Sequence, residues 1–89
     1  MQLFIFCVRD RATEAFGTPM FLQSSGQALR SFSDEVNRKA EDSQLYNHPD
    51  DFDLYECGSF DTASGVFDSY VPRVLVRGKD VSLKFVEAN

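Results

Sequence analysis

Residues 18–40, TPMFLQSSGQALRSFSDEVNRKA, constrain the fold most. They read as a short apolar strand running straight into a capped amphipathic helix. Ser24 followed three residues later by Gln27 fits a capping box. In that motif the Ser hydroxyl accepts from the backbone N–H of Gln27, and the Gln side chain reaches back to the N–H of Ser24. Apolar residues follow at Ala28, Leu29, Phe32, Val36 and Ala40, in steps that keep them on one helical face. That stripe is expected to pack as core. Arg38 and Lys39 are placed in the last turns, where a cation meets the negative end of the helix dipole.

The rest of the chain reads as strands. Residues 2–9 (QLFIFCVR) form the first, and its run 3–8 is apolar on both faces. Such a strand belongs in the middle of a sheet with both faces covered. One helix covers only one of them, so a second subunit is expected on the other. Residues 10–17 connect to a short strand at 20–23 with Pro19 before it, a place a donor-less residue suits. That short edge carries few charges and is a natural place for chains to pair.

After the helix, residues 41–51 are polar and centre on a turn at 47–50. His48 reads as an exposed turn residue. Residues 52–60 form a third strand. Residues 61–65 make a hairpin loop with Gly65 supplying positive φ, and residues 66–70 return as a fourth strand. Phe52, Leu54, Tyr55 and Phe67 are its expected packing groups. Val71-Pro72 is expected to break the pairing. Residues 73–77 and 81–86 then read as two further strands joined by a tight turn at 77–80. The fold class is therefore α+β in a single domain spanning residues 1–89. It has a mainly antiparallel sheet of about four to six strands in the order β-β-α-β-β, a C-terminal β-hairpin, and one amphipathic helix on one face.

Composition removes several function classes. A chain of 89 residues buries roughly 60–65% of its extended surface, so its core is small. The longest apolar run is far short of the ~20 residues a membrane span needs. It is no signal peptide either, because Arg9-Asp10-Arg11 follows it in place of a small-residue cleavage site. The protein is expected in the cytoplasm where it is made. Cys7 and Cys57 read as small buried apolar groups, reduced in that compartment. With one His, they cannot assemble a four-ligand zinc site. The five Gly are scattered singly, so no phosphate loop forms. The acids at 50, 51 and 53 lack the glycine and distal Glu of a calcium loop. No enzyme, metal or cofactor is expected.

Charge is unevenly spread. Residues 1–45 carry five bases and six acids, residues 46–72 six acids and no base, and residues 73–89 four bases and two acids. The net charges are −1, −6 and +2, which sum to the −5 of the whole chain.

Several phrases in order resemble one family. They are the apolar strand ending in Arg9-Asp10, Phe16-x-Thr18-Pro19-x-Phe21, and Gly26-x-Ala28-x-Arg30-x-Phe32 followed by Val36-Asn37. Pro49-x-Asp51-Phe52-Asp53-Leu54-Tyr55 comes next, then Gly58 and a Thr62-x-x-Gly65 turn. The set is similar to the small nonstructural protein of gokushoviruses, a branch of the microviruses, which are phages with circular single-stranded DNA. The resemblance covers residues 1–70. It implies a protein of the host bacterial cytoplasm, absent from the mature virion. It also implies a role in genome replication, in the switch to single-strand synthesis and packaging, with no catalytic signature to carry over.

Two partners follow as expectations. One is single-stranded DNA, held by Arg9 and Arg11 after the first strand and by Arg73, Arg77, Lys79 and Lys84 in the tail. Cations displace counterions from phosphate, and Tyr46, Tyr55, Tyr70 and Phe85 offer rings for bases. The acidic middle would have to face away. The alternative is an adaptor that binds phage or host replication or assembly proteins without touching DNA. A homodimer is expected in either case, with no membrane partner.

Overall fold

The computed structural model describes residues 1–84. Five antiparallel strands form one sheet: β1 (Gln2–Asp10), β2 (Ala15–Phe16), β3 (Met20–Leu22), β4 (Phe52–Asp61) and β5 (Phe67–Arg77). Three helices accompany them: α1 (Ser25–Asn37), α2 (Gln44–Asn47) and α3 (Gly78–Val81). The fold is α+β with one substantial helix, as the sequence predicts.

β1 is the central strand. β4 pairs along one of its edges, from Gln2 opposite Asp61 to Asp10 opposite Phe52. β2 and β3 share the other edge, β2 at Arg9 and Asp10 and β3 at Phe4 to Phe6. Side chains alternate along a strand, so Phe4, Phe6 and Val8 turn toward α1 while Leu3, Ile5 and Cys7 turn away. The core lies on the α1 side. Phe6, Leu54, Ala28, Phe32 and Val36 are buried there, with Phe4, Val8, Leu22, Leu29 and Phe52 packed around them.

Helix α1 starts where its cap puts it. Ser24 is extended (φ −153°, ψ 158°), and its Oγ accepts from the Gln27 N–H at 3.2 Å. The Gln27 Oε1 accepts from the N–H of Gln23 at 2.9 Å. The reciprocal bond is thus one residue earlier than a standard capping box places it. Replacing Ser24 by Ala should cost about 1 kcal/mol in chemical denaturation. An unchanged midpoint would show that the cap carries nothing.

The helix stops earlier than the stripe suggests. Asn37 is its last residue and Arg38 its C-cap, so Lys39 and Ala40 lie outside it. Arg38 instead turns back on Glu35, with N···O distances of 2.7 to 3.1 Å, and that hydrogen bond holds the Glu35 carboxyl below its ordinary pKa. Asn37 ends α1 for a tertiary reason. Its amide donates to the carbonyls of Ser33 and Val81, both at 2.9 Å, and accepts from the Leu83 N–H at 2.8 Å. It clamps the segment around α3 onto the end of α1.

Two expected elements differ. Residues 44–51 fold into α2, capped by Ser43 on the Tyr46 N–H, and a 3-10 turn at Pro49–Asp51. Leu45 packs against the core from α2, which an open loop could not arrange. The second difference is at the C-terminal side. Residues 73–77 are not a new strand but the continuation of β5 on β4. Pairing lapses at Tyr70, Val71 and Pro72, which stand opposite Cys57 alone, and resumes at Arg73. Cys57 is itself the extra residue of a bulge against β1. The expected tight turn at 77–80 is the start of α3, so no C-terminal hairpin forms there. Phe85 and Val86 of the expected last strand lie outside the described residues. The hairpin loop at 61–65 forms as expected, with Gly65 at φ +74°. The Asp61 carboxylate accepts from the Ala63 N–H and the Ser64 hydroxyl, each at 3.0 Å, and its pKa is lowered by them in that order.

Candidate nucleic-acid interface

An antiparallel sheet brings the end of β1, the start of β4 and the end of β5 to one place. Arg9, Arg11, Arg77 and Lys79 gather there, although 70 positions separate the first from the last. Arg9 is opposite Asp53 in the register, and Asp53 is opposite Arg77. Arg11 follows β1; its N–H donates to the Asp51 carbonyl at 2.7 Å, and its Nη1 to the Asp50 carbonyl at 3.1 Å. Lys79 lies in α3, whose Gly78 packs against the backbone of Pro49 and Phe52.

Arg73 and Lys84 lie apart from this group. Arg73 binds Glu56 at 3.1 Å on the α1 side of β5. Lys84 donates to the Tyr46 carbonyl and stands 4.2 Å from the Tyr46 ring centre.

The charge separation along the chain does not persist in space. The carboxylate of Glu56 is buried and meets both Arg73 and the Tyr70 hydroxyl. Partial removal from water, then the carboxylate beside it, pushes Tyr70 up to about 12. Asp53 is only 2% exposed and pairs with Arg77 Nε at 3.6 Å, too long for a hydrogen bond, so its Oδ1 has no hydrogen-bond partner. Asp50 and Asp51 stand in the turn beside Arg11. Cations and carboxylates are thus interleaved, and Arg73 and Arg77 are committed to buried acids. Among the described residues Lys79 makes no ion pair, and the same holds for Arg11.

The three tyrosines are also partly engaged. Tyr46 sits under Lys84, Tyr70 is tied to Glu56 and Gly58, and Tyr55 meets Phe16 edge-on at 5.1 Å. The open rings are phenylalanines instead: Phe16, Phe21 and Phe67 are 45%, 43% and 63% exposed. Arg9 lies 5.8 Å from the centre of the Phe16 ring. Phe21, Phe60 and Phe67 form a cluster with centroids 4.6 to 6.2 Å apart. A sequence signal for two of them existed in the spacing Phe16-x-Thr18-Pro19-x-Phe21, which puts both on the strip that flanks β1.

Cys7 and Cys57 are free thiols on the face away from α1. Burial, then the neighbouring Cys7 thiol, pushes Cys57 up to about 11, which disfavours the thiolate at neutral pH. Among the described residues no group of three His, Cys, Asp or Glu side chains is placed to hold a metal ion, and no helix is long and apolar enough to cross a membrane.

The family model described as Phage ORF5 protein matches residues 3–81. The chain belongs to that family. The match takes in every strand and helix from β1 to α3 save Gln2, so it spans the whole sheet and its helices in this chain. No curated protein and no solved structure matches the chain. For an ORF5 protein, then, the site rests on its own geometry.

Proposed function

We propose that this phage protein is non-enzymatic and of the gokushovirus type. It acts in the host bacterial cytoplasm, in viral genome replication or the switch to single-strand synthesis and packaging, and it contacts single-stranded DNA. The observation that carries the reading is the convergence of Arg9, Arg11, Arg77 and Lys79 on one end of the sheet. Four cations from distant positions, of which Arg9, Arg11 and Lys79 make no ion pair among the described residues, suit a phosphate backbone. Each contact releases counterions, with a salt slope of about −0.7 per phosphate on single strands. Four contacts make affinity fall roughly fifty-fold between 50 and 200 mM salt.

A salt titration of oligonucleotide retention tests this. Arg11→Glu combined with Lys79→Glu should abolish retention and leave the circular dichroism unchanged, since neither side chain holds a buried acid. Reversing Arg73 or Arg77 is a poorer test, because each would set a second carboxylate against a buried one. Asp50→Asn with Asp51→Asn should strengthen binding. No retention at ~20 mM salt, where phosphate contacts are strongest, would rule out direct binding.

The same interleaved acids favour a second reading. A surface of mixed sign suits a protein partner better than a polyanion. In that case the chain is an adaptor for phage or host replication or assembly proteins, and a pull-down against the phage replication and capsid proteins is its test.

A further inference from the structure

We propose that the sheet face turned away from α1 is covered by a second copy of this chain, packed face to face about a two-fold axis. The register defines that face row by row. Arg9, Asp53 and Arg77 form the one charged row. The next rows are Cys7, Tyr55 and Val74, then Ile5, Gly58 and Ser69, then Leu3, Phe60 and Phe67. Phe16 and Phe21 extend it over β2 and β3. Three successive rows therefore hold no charge, and in the fourth the buried Asp53 offsets part of its two arginines.

The exposed parts of Phe16, Phe21 and Phe67 alone leave roughly 300 Å² of ring in water, at 150–250 Å² per full ring. Val74 adds to it, being more than half exposed. A sheet four strands wide and nine residues long spans roughly 20 by 30 Å. That suits a standard subunit contact, which takes about 800 Å² from each partner.

Three observations select a second copy as the occupant. First, the apolar core on the α1 side is small: beyond it, of the fully buried apolar residues only Cys7 lies on the open face. A cover that completes the core must be present whenever the chain folds, and another copy always is. A two-fold contact also sets the uncharged rows against one another, as an isologous interface requires. Second, strand-to-strand addition is blocked at both edges. β5 bulges at Tyr70–Pro72 and carries a proline, while the other edge is split between the two residues of β2 and the three of β3. Third, the rings are unsuited to stacking bases. Phe21 meets Phe60 and Phe67 at interplanar angles of 83° and 78°, so the cluster presents ring edges as well as faces. A stacking platform needs flat faces and a positive groove beside them.

Light scattering at ~100 µM chain, where even a micromolar dimer is mostly formed, should give twice the 10.1 kDa of the chain. Phe67→Glu and, separately, Val74→Lys should halve that mass. Both positions are exposed in the single chain, so its circular dichroism should survive. Isotope-filtered NMR on mixed labelled and unlabelled wild-type protein should show contacts between Phe21 or Phe67 rings of different copies, which needs no variant. A wild-type mass of 10.1 kDa overturns the proposal, as does a dimer that both variants leave intact. A monomer whose single-strand binding is lost in Phe67→Glu would instead make the face a base platform, and also overturns it. The Arg11 and Lys79 reversals probe the cationic end alone, so failure there leaves the dimer standing.

Discussion

Phe6→Ala should lower the stability of this protein by about 3–5 kcal/mol, the cost of removing a fully buried aromatic ring. The ring lies on the central strand, facing α1, in the cluster with Phe32, Val36 and Leu54. Most large-to-small substitutions are partly relieved when neighbours collapse into the space. Here the strand is hydrogen-bonded on both edges, to β3 at Phe6 opposite Met20 and to β4 at Phe6 opposite Glu56. The backbone cannot move toward the helix without breaking one ladder. The site therefore belongs at the upper end of the range. For a domain of this size each kcal/mol lowers the melting temperature by about 4–8 °C, so a two-state thermal scan resolves the effect easily. A loss under ~1 kcal/mol would mean that the helix–sheet contact is not the main core.

Gly78→Ala should destabilise by about 1–3 kcal/mol, against the direction that helix propensity alone gives. Ala is the better helix former by about 1 kcal/mol, and Gly78 opens α3. Sterics decide the sign. A Cβ on Gly78 would stand 2.8 Å from the Phe52 carbonyl oxygen and closer still to that of Pro49. Both are backbone atoms, in the turn that starts β4, and neither can rotate aside. α3 cannot retreat freely either, because Asn37 holds the carbonyl of Val81 and the N–H of Leu83. One of the two anchors must yield. Urea denaturation of the variant checks this, and a raised midpoint would show that the turn gives way at little cost. The substitution also bears on the proposed function, since Lys79 is the next residue and its place at that end of the sheet depends on this packing.

Local physics made part of this protein legible from its residues. α1 is written in Ser24 and in the spacing of Ala28, Phe32 and Val36, because a cap and a 3.6-residue stripe involve only near neighbours. Gly65 marks its own turn because positive φ is a property of one residue. The doubly apolar run of β1 placed that strand at the centre of the sheet. What the tertiary structure decided concerns residues far apart in the chain. Val71-Pro72 looks like the end of a strand, yet β5 resumes pairing with β4 beyond it in a shifted register, with Cys57 alone opposite the lapse. Residues 77–80 look like a tight turn between two strands, but α3 forms at Gly78–Val81, and Pro49, Phe52 and Asn37 fix its position. The acidic middle and the basic tail look like two electrostatic regions. Strand pairing sets Arg73 on Glu56 and Arg77 on Asp53, so much of that separation cancels across the sheet. A one-dimensional charge pattern carries no record of which strands will lie side by side; the hydrogen-bonded register does.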